Sequence, residues 1–559
     1  MKRSTSKISV QLLSQVAKEF RIADIVISPG SRNAPLSIHF VESGEFSSYS
    51  VIDERSAGFV ALGMAKKTQL PVMLSCTSGS ATANYYPAIT EAFYHNIPLL
   101  ILTADRPVTF VDIFDGQTIR QKDIFKNHVY GGFELLEDSQ ELAQEKNLEI
   151  LKKTFSLCIK KQGPVHLNIP LSEPLYQYAT LTLPKPRISK QKDHFSYLIA
   201  PKDLEEWKKA KRILILVGSQ KPSKNLNKYL RNLSIKHKVV VLSENISNVY
   251  DRSFFSHIDR YIFGFREEDY LFYTPDLLIT IGQNIISKKV KDFLRKSNPK
   301  NHWHLDPYWQ PNTYFCLTKK IETKAEDFLS PFLKKIESLP EKPKAYYSLW
   351  EKLKKIKDEK HEKYTQQVPF SDFMVFDILS GNIPSHYTIH FSNSSSIRYA
   401  QLFDFNKNEV YCNRGTSGIE GCTSTAVGFA IKSKNPVVLV TGDISFFYDL
   451  NGLWNPYIPS SFRLILINNQ EGSIFRIIPG PDKTEPKTLE NFIATRHEKT
   501  AQHIAKHFDF DYCIVKEKKS LEKYLKHFFT PHQKPKILEI STGHLPNAKV
   551  LKDYFSFLG

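Results

Sequence analysis

The sequence has few of the features that mark secreted, membrane or zinc-binding proteins. Its 559 residues include only six cysteines, and no two of them form a Cys-x-x-Cys pair. Scattered thiols indicate a reduced protein without a disulfide framework or a zinc site. No apolar run approaches the roughly 18 residues that a membrane span needs. The basic opening residues lead into no secretory signal. We therefore expect a cytoplasmic protein without a membrane span.

Several catalytic motifs are missing as well. The sequence contains no Gly-x-Ser-x-Gly elbow, no Walker loop and no His-Glu-x-x-His. Its histidines show no metal-ligand spacing, and we interpret them as structural. These absences argue against serine-nucleophile, P-loop and zinc-protease chemistry.

Acidic residues are outnumbered. The chain has 58 Asp and Glu against 76 Lys and Arg, a formal net charge of +18. A basic protein invites a nucleic-acid interpretation. However, the lysines alternate with Glu and apolar residues in helical segments such as 352–363, as on solvated helix faces. We therefore expect no nucleic-acid partner, and the excess charge favours steering of acidic substrates.

The length and the apolar pattern predict three domains. A chain of this length exceeds one hydrophobic core, and short β-branched runs closed by Gly or polar residues are typical of parallel α/β sheets. Stretches 176–195 and 338–344 contain proline and lysine and predict linkers. We expect three doubly wound domains, the first and third with similar strand–helix rhythm. Their ranges are 1–180, 195–335 and 345–559. Predicted strands include 72–76, 213–217, 277–281, 388–391 and 536–541.

Two strand ends in the last domain carry metal-binding chemistry. An apolar run at 437–440 ends at Gly442-Asp443, and another at 464–467 ends at a pair of asparagines, the second being Asn469. Doubly wound folds bind ligands at such ends. The Asp443 carboxylate and Asn469 carbonyl are ligands of the kind Mg²⁺ prefers, and Gly442 allows a diphosphate to approach the backbone. The alternative is that both residues only cap helices.

Seven segments in order resemble those of one branch of the thiamine-diphosphate enzymes. The branch is the menaquinone-pathway 2-succinyl-5-enolpyruvyl-6-hydroxy-3-cyclohexene-1-carboxylate synthases. The resemblance implies a pyrimidine-binding, a central and a diphosphate-binding domain. It also implies a homodimer or dimer of dimers with shared active sites. The segments are SPGSRNAPL (28–36), DERSAGFVALGMAK (53–66), TSGSATANYYPAITEA (77–92), LTADRP (102–107), GQTIRQ (116–121), NRGTSGIEG (413–421) and the stretch with Asp443 and Asn469.

The resemblance implies a thiamine-diphosphate-dependent transferase. Its reaction would decarboxylate 2-oxoglutarate and add the succinyl-semialdehyde carbanion 1,4 to isochorismate. One alternative is another 2-keto-acid decarboxylase or carboligase, such as an acetolactate synthase, against which the SPGSR and NRGTSGIEG segments argue. Another is a non-catalytic ligand-binding regulator with the same fold, against which the intact Glu54, Asp443 and Asn469 argue.

Glu54 is the first catalytic residue that the resemblance implies. A carboxylate hydrogen-bonded to N1′ of the cofactor's aminopyrimidine promotes loss of the C2 proton. The alternative is a first-turn Glu that pairs with Arg55 or with the helix dipole. The implied cofactor contacts, with Ile419 as an apolar wedge, are Glu54, Ser394, Ser417, Ile419, Gly442, Asp443, Ser445, Asn469 and Ile474.

The resemblance implies Mg²⁺ or Mn²⁺ bound by the side chains of Asp443 and Asn469. A backbone carbonyl near Glu471 would be the third ligand. The sequence reads Gln-Glu-Gly at 470–472, where the family commonly has Asn-Gly-Gly. A carbonyl ligand tolerates a changed side chain, but the extra carboxylate could alter the loop.

Both implied substrates are dicarboxylates, which guanidinium groups bind bidentately. Arg32 and Gln117 join Glu54 as implied catalytic residues. Gly116 stands where a related sequence would offer Asn, and Lys289 where the family usually has Arg. For each arginine alone, a structural salt bridge is the alternative. The implied substrate-binding residues are Ser31, Arg32, Gln117, Lys288, Lys289, Arg398, Arg414 and Phe475.

Overall fold

The computed structural model describes residues 3–180, 197–478, 480–543 and 546–559. It contains three parallel β-sheets, one in each third of the chain, plus a two-stranded antiparallel ribbon. Most of the predicted linker at 176–195, and the first two residues of the predicted second domain, lie outside the described residues. No helix in the described ranges is long and apolar enough to span a bilayer.

The first third of the chain forms a six-stranded sheet. The first and last strands of this third, β1 and β8, lie outside that sheet and pair with each other as the antiparallel ribbon. A 3-10 turn lies at Val108–Phe110. The elements are β1 Arg3–Thr5, α1 Ile8–Glu19, β2 Asp24–Ile27, α2 Ala34–Glu42, β3 Ser47–Ser50, α3 Glu54–Thr68, β4 Val72–Cys76, α4 Ser80–Asn84, α5 Tyr86–Tyr94, β5 Leu99–Asp105, β6 Gly132–Glu134, α6 Ala143–Lys161, β7 Val165–Pro170 and β8 Tyr178–Thr180.

The middle of the chain forms a five-stranded sheet in the order β10-β9-β11-β12-β13. A 3-10 turn lies at Asn245–Ser247. The elements are α7 Pro201–Lys209, β9 Ile213–Val217, α8 Lys224–His237, β10 Val240–Ser243, α9 Ile258–Ile262, α10 Glu267–Tyr273, β11 Leu277–Ile281, α11 Lys288–Ser297, β12 Asn301–Leu305, β13 Lys319–Ile321 and α12 Ala325–Ile336.

The last third forms a second six-stranded sheet, preceded by the long helix α13, whose Trp350 is buried in the central core. Short turns lie at Leu450–Leu453, Pro481–Lys483 and Leu489–Ile493. The elements are α13 Lys344–Thr365, α14 Asp372–Asn382, β14 Thr388–Phe391, α15 Ser395–Ala400, β15 Val410–Cys412, α16 Cys422–Lys432, β16 Val437–Gly442, α17 Asp443–Tyr448, β17 Arg463–Asn468, α18 Ile474–Ile477, α19 Pro486–Thr488, α20 Gln502–His507, β18 Asp511–Val515, α21 Lys518–Phe528, β19 Lys536–Ser541 and α22 Asn547–Leu558.

The first and third sheets have the same topology. Their orders, β3-β2-β4-β5-β7-β6 and β15-β14-β16-β17-β19-β18, correspond strand for strand, and all their pairings are parallel. The predicted α/β class with three parallel sheets is confirmed, and so is the expected similarity of the outer two. In each, the strand order reverses between the first and third strand of the series. Ligands bind at such a switch point.

The long apolar runs were predicted better than the short edge strands. Predicted strands coincide with β4, β9, β11, β14 and β19, whose residues are almost all buried. No prediction was made for the three-residue strands β6, β13 and β15, which are too short to carry a pattern. In β12 two histidines, His302 and His304, interrupt the apolar run. The hydroxyl of Thr280 lies within hydrogen-bond distance of one ring nitrogen of each, at 2.8 and 2.7 Å.

Helices α3 and α16 join the first domain to the third through two glycines. A Cβ on Gly63 would lie 2.1 Å from the carbonyl oxygen of Thr425, and one on Gly428 would lie 2.0 Å from that of Val60. Real Cβ atoms do not approach backbone this closely, so the two helix backbones are in direct contact. A side chain at either position would force the helices apart.

We predict that Gly63→Ala lowers stability by about 1–3 kcal/mol, the usual cost of overpacking, despite alanine's better helix propensity. The matched control is Gly381→Ala in α14, where a Cβ meets nothing within 4 Å. This control should be neutral or up to about 1 kcal/mol stabilising. Thermal unfolding followed by tryptophan fluorescence compares the two. Equal transition temperatures would show that the helices do not need this contact.

Candidate active site

Several predicted cofactor residues lie at the switch point of the third sheet. Ser394 follows β14, Asp443 follows the adjacent β16, and Asn469 follows β17. Adjacent parallel strands present their carboxyl ends at one edge, which is why residues far apart in sequence meet here. Gly442 N donates to Ser392 Oγ at 3.3 Å and so ties the two switch-point strands together.

Asp443 connects the ends of β16 and β17. It is 2 % exposed. Its Oδ1 accepts from the amide of Ile444 at 2.7 Å, and its Oδ2 accepts from the amide of Gln470 at 2.7 Å. Gln470 has a φ of +64°, which L residues adopt rarely. Asp443 thus holds a strained turn. His497 Nε2 lies 3.4 Å from Asp443 Oδ2.

The Asn469 amide is oriented by a residue that the sequence analysis missed. Its Nδ2 donates to Asp372 Oδ2 at 2.8 Å and to Ser473 Oγ at 3.0 Å. The other Asp372 oxygen accepts from Thr542 Oγ1 at 2.7 Å. Burial, together with the nearby Asp443 and Glu471 carboxylates, raises the pKa of Asp372 to about 6. Because both Nδ2 hydrogens are engaged, Asn469 can offer its Oδ1 to a cation.

These two side chains fit a hard divalent ion. A carboxylate and an amide carbonyl are suitable oxygen ligands, and both are held by neighbouring polar groups. Glu471 does not add its carboxylate, because Arg476 Nε binds it at 2.7 and 2.8 Å and Arg496 Nε approaches at 3.4 Å. The departure from the family pattern is therefore absorbed by arginine pairs within the loop.

Residues 413–421, here called the active-site loop, carry Arg414, Ser417 and Ile419. Asn393 Nδ2 donates to the carbonyls of Asn413 and Gly418, both at 2.6 Å. Ser417 has a φ of +67° and Ser394 one of +71°, so both sides of this contact are strained. One amide therefore closes the loop at two points.

The same loop is also fixed to α17, and its Arg414 side chain is fixed to Asn393. Ser445 Oγ donates to the Ile419 carbonyl at 2.7 Å. Arg414 Nη1 donates to Asn393 Oδ1 at 2.8 Å, while its Nε is buried without a partner in the described part of the chain. An unpaired buried guanidinium nitrogen is uncommon in proteins and indicates a missing acceptor.

Ile474 and Phe475 form the start of α18 and are half-buried. The hydroxyls of Ser395 and Ser473 lie 3.0 Å apart, so α15 and α18 begin side by side. The two apolar residues therefore border the same edge of the sheet as Ser394.

Glu54 is the first residue of α3, but it is not the cap of that helix. The Asp53 side chain accepts from Ser56 N at 3.2 Å and performs that role. Arg55 Nη2 donates to the Tyr448 carbonyl at 2.9 Å, and its guanidinium lies 4.8 Å from the Tyr448 ring. Arg55 is thus engaged by another group and does not pair with Glu54, whereas the first-turn position that favours a helix-dipole role is retained. Burial raises the pKa of Glu54.

Arg32 lies at the switch point of the first sheet, beside the exposed Ser31. Its Nη1 donates to the Leu171 carbonyl at 2.8 Å, and its Nη2 lies 3.3 Å from Glu173 Oε1. Burial, and the nearby Arg106, lower the pKa of Arg32. Its Nε is another buried nitrogen without a partner among the described residues.

Gln117 is exposed and has a φ of +55°. Its backbone abuts Gly79, where a Cβ would lie 3.0 Å from the Gln117 carbonyl oxygen. The preceding Gly116 accepts from Arg106 Nε at 2.9 Å, and a Cβ there would meet nothing within 4 Å. Gly116 is therefore not required sterically.

The central domain contributes Lys288 and Lys289 at the start of α11. Lys288 is exposed. Lys289 Nζ lies 4.5 Å from the ring centroid of Phe263 and 5.4 Å from that of Phe555, a cation–π site. The lysine in place of the usual arginine is thus engaged by aromatic rings.

Buried carboxylates accompany the cations of the third domain. Burial raises the pKa of Asp259, and its charge is partly offset by Lys289 and Arg398. Burial also raises the pKa of Glu244 to about 7, with Arg414 nearby. Burial and the neighbouring Arg414 lower the pKa of Arg398. Arg398 and Arg414 thus lie near each other, with the Asp259 and Glu244 carboxylates nearby.

The predicted residues form two groups. Ser31, Arg32, Glu54 and Gln117 lie in the first domain, and the others, apart from the two lysines, lie around the third sheet. Among the described residues, no hydrogen bond or ion pair joins a member of the first group to one of the second.

The residues that sequence reasoning missed mostly orient other residues. No sequence pattern marks Asp372 or Asn393. Asp372 follows the N-cap residue of α14, and Asn393 follows strand β14. Glu244 and Asp259 were overlooked because a lone acidic residue in a basic domain resembles surface charge. Burial distinguishes Asp372 and Glu244, each 1 % exposed, from acidic residues of the surface.

Comparison with known proteins gives one family. Residues 9–129 match the family described as thiamine pyrophosphate enzyme, N-terminal TPP binding domain. The chain is 42 % identical to the 2-succinyl-5-enolpyruvyl-6-hydroxy-3-cyclohexene-1-carboxylate synthase of Christiangramia forsetii, covering 97 % of each chain. It is 42 % identical to that of Flavobacterium johnsoniae, covering 98 % of each. It is 34 % identical to that of Porphyromonas gingivalis, covering 99 % of this chain and 98 % of the relative.

We predict that Asp372→Asn weakens divalent-ion binding by about 10–100-fold, the usual effect of losing a residue that orients a metal ligand. Asn offers one acceptor oxygen where Asp372 accepts from both Asn469 and Thr542, so the Asn469 amide is no longer held by a fixed carboxylate. Mn²⁺ binding in the presence of thiamine diphosphate, followed by electron paramagnetic resonance, measures it. Asp377→Asn on the same helix is the matched control and should bind like wild type. Equal Mn²⁺ affinity for both variants would remove Asp372 from the site.

Proposed function

The chain belongs to the 2-succinyl-5-enolpyruvyl-6-hydroxy-3-cyclohexene-1-carboxylate synthase family, and on that premise we propose that it performs the family's reaction. It would decarboxylate 2-oxoglutarate and transfer the resulting four-carbon unit to isochorismate in menaquinone biosynthesis. The observation that carries the proposal is the equivalence of the two outer sheets, each with predicted site residues at its switch point.

The chain has an N-terminal thiamine pyrophosphate-binding domain. We propose 1–180 as the pyrimidine-binding domain, 195–335 as the central domain and 345–559 as the diphosphate-binding domain. Thiamine diphosphate, when bound, supplies a nucleophilic carbon and an electron sink. Gly442, Ser394, Ser417 and Ser445 would bind its diphosphate end, while Ile419 and Ile474 would contact its rings.

Glu54 is the proposed acid/base residue. Its carboxylate is not paired with Arg55, which donates to the Tyr448 carbonyl, and burial raises the pKa of Glu54 even though its own backbone amide and Asn84 donate hydrogen bonds to it. A carboxylate with a raised pKa can share a proton with a ring nitrogen. Arg32 and Gln117 would orient the substrate beside it.

The metal would be Mg²⁺ or Mn²⁺, bound by Asp443, Asn469 and a backbone carbonyl near Glu471. The oriented Asn469 amide and the buried Asp443 support the first two ligands. The arginine pairs that engage the Glu471 carboxylate leave its backbone as the contribution of that residue.

The substrates would be bound by cations. Burial and the neighbouring Arg414 lower the pKa of Arg398, and Arg414 Nε is buried without a partner among the described residues, as expected where an anion completes the site. Ser31, Arg32, Lys288 and Phe475 would line the remainder. Lys289 would act as a longer-range cation, because its ammonium packs on aromatic rings.

We propose a homodimer or dimer of dimers whose active sites are shared between subunits. Its support is the absence, among the described residues, of a hydrogen bond or ion pair between the two groups within one chain, together with the exposed apolar segment before Gln117. Val108, Ile113 and Phe114 in that segment are 67, 60 and 106 % exposed. Apolar residues this exposed mark contact surfaces. All six cysteines are free, which fits a reducing cytoplasmic compartment.

The test of the function is a reconstituted assay. Purified protein with thiamine diphosphate, Mg²⁺, 2-oxoglutarate and isochorismate should consume isochorismate, and omission of any one component should stop it. Pyruvate in place of 2-oxoglutarate should give little product. Preference for pyruvate would favour an acetolactate-synthase-like enzyme, and cofactor binding without turnover would favour a regulator.

We predict that Glu54→Gln binds thiamine diphosphate within a few-fold of wild type but turns over roughly 10²–10⁴-fold more slowly. Gln preserves size and a hydrogen bond but cannot stabilise the protonated pyrimidine. Exchange of the cofactor's C2 proton for deuterium, measured by NMR after acid quench, isolates this step. A variant that exchanges C2-H as fast as wild type would remove Glu54 from the mechanism.

A further inference from the structure

Glu91 of α5 binds the active-site loop from the first domain. Gly415 N donates to Glu91 Oε1 at 2.8 Å, and Thr416 N donates to Oε2 at 2.7 Å. The Thr416 hydroxyl also donates to Oε2, at 3.0 Å. One carboxylate thus receives three hydrogen bonds from two consecutive loop residues, directly between Arg414 and Ser417.

Glu91 is buried and charged. It is 1 % exposed. Burial alone would raise the pKa of Glu91, but hydrogen bonds from His95 and the two loop amides outweigh it and lower the pKa. His95 Nδ1 lies 3.1 Å from Oε1, and burial lowers the pKa of His95. The buried Lys66 supplies a nearby positive charge and donates to the Cys412 carbonyl at 3.2 Å, just before the loop.

The contact is built into the shape of the loop. A Cβ on Gly415 would lie 2.5 Å from the Glu91 carbonyl oxygen and 2.9 Å from Oε2, so only glycine allows this approach. Thr416 is exposed, yet its amide reaches a buried carboxylate. On the other side, Asn284 of the central domain donates to the Arg414 carbonyl at 2.6 Å.

The loop therefore has two halves held by different parts of the protein. The half with Gly418 and Ile419 is held by Asn393 and Ser445 of the third domain itself. The backbone of the half with Arg414 to Thr416 is held by the first and central domains, while the Arg414 side chain also donates to Asn393 of the third. Loss of Glu91 should loosen the second half and spare the first.

We propose that Glu91 is a positioning residue for substrate binding, which holds the Arg414 half of the active-site loop in its binding conformation. Its effect is on the substrate and not on the cofactor. The part of this proposal that concerns substrate binding rests on the proposed function, whereas the part that concerns the loop conformation does not.

Hydrogen–deuterium exchange of the apo enzyme tests the hold directly. The Gly415 and Thr416 amides should exchange slowly in wild type despite the exposure of Thr416. Glu91→Gln offers one acceptor oxygen and turns an NH₂ toward the other amide, so exchange there should rise about tenfold or more. Thr416→Val keeps both amide bonds and should stay protected. Glu149→Gln, an exposed glutamate on α6, is the matched control and should behave like wild type.

Two outcomes of the exchange experiment would overturn the proposal. One is fast exchange of both amides in wild type. The other is unchanged exchange in a folded Glu91→Gln protein. If that variant does not fold, Gly415→Ala takes its place, because its Cβ displaces the carboxylate, and unchanged exchange in it would count equally against the proposal.

Kinetics test the role in substrate binding. Glu91→Gln should raise KM for at least one of the two dicarboxylates, 2-oxoglutarate and isochorismate, about tenfold or more, with thiamine diphosphate affinity within about threefold of wild type. Unchanged KM for both substrates, or cofactor affinity that falls as far as substrate affinity, would overturn the proposal. If wild type consumes no isochorismate, the proposed function fails, whereas the exchange experiment still decides whether Glu91 holds the loop.

Discussion

The architecture depends on the direct contact of two helix backbones. Helix α3 begins with Glu54, and α16 follows the active-site loop. Gly63 and Gly428 let them pack without intervening side chains. The proposed acid/base residue and the loop that carries Arg414 are therefore attached to one rigid unit spanning two domains. Precise placement of catalytic groups requires such rigid support.

Buried carboxylates orient the site around this unit. Asp372 fixes the Asn469 amide, Glu91 fixes the loop, and Glu244 accepts from the amides of Ile286 and Ser287 at 2.8 and 2.7 Å. Removing a partner from a buried carboxylate is costly, so each is retained with its donors. Cations of the site, such as Arg414, keep unpaired nitrogens among the described residues. The buried carboxylates thus have their hydrogen-bond donors, while Arg32 and Arg414, proposed to bind the substrate, each keep an unpaired nitrogen in the described part of the chain.

The sequence allowed prediction of the sheets and of residues at strand ends, because apolar runs closed by polar residues mark both. Asp443 and Asn469 were found in this way. Residues that act through distant contacts could not be found. In the sequence Glu91 resembles any other helical acid, because the loop residues that bind it are more than 300 positions away. The packing of Lys289 on Phe263 and Phe555 likewise joins separate parts of the chain. Edge strands were too short to carry periodicity.

The most direct test of the account asks whether Glu54 of one chain serves the metal site of another. A Glu54→Gln chain and an Asp443→Ala chain, carrying different tags, are co-expressed and the mixed dimer is purified. Each parent dimer should be inactive with 2-oxoglutarate and isochorismate. In the mixed dimer one of two shared sites is intact, so about half of wild-type activity should return. A mixed dimer as inactive as its parents would contradict the shared site.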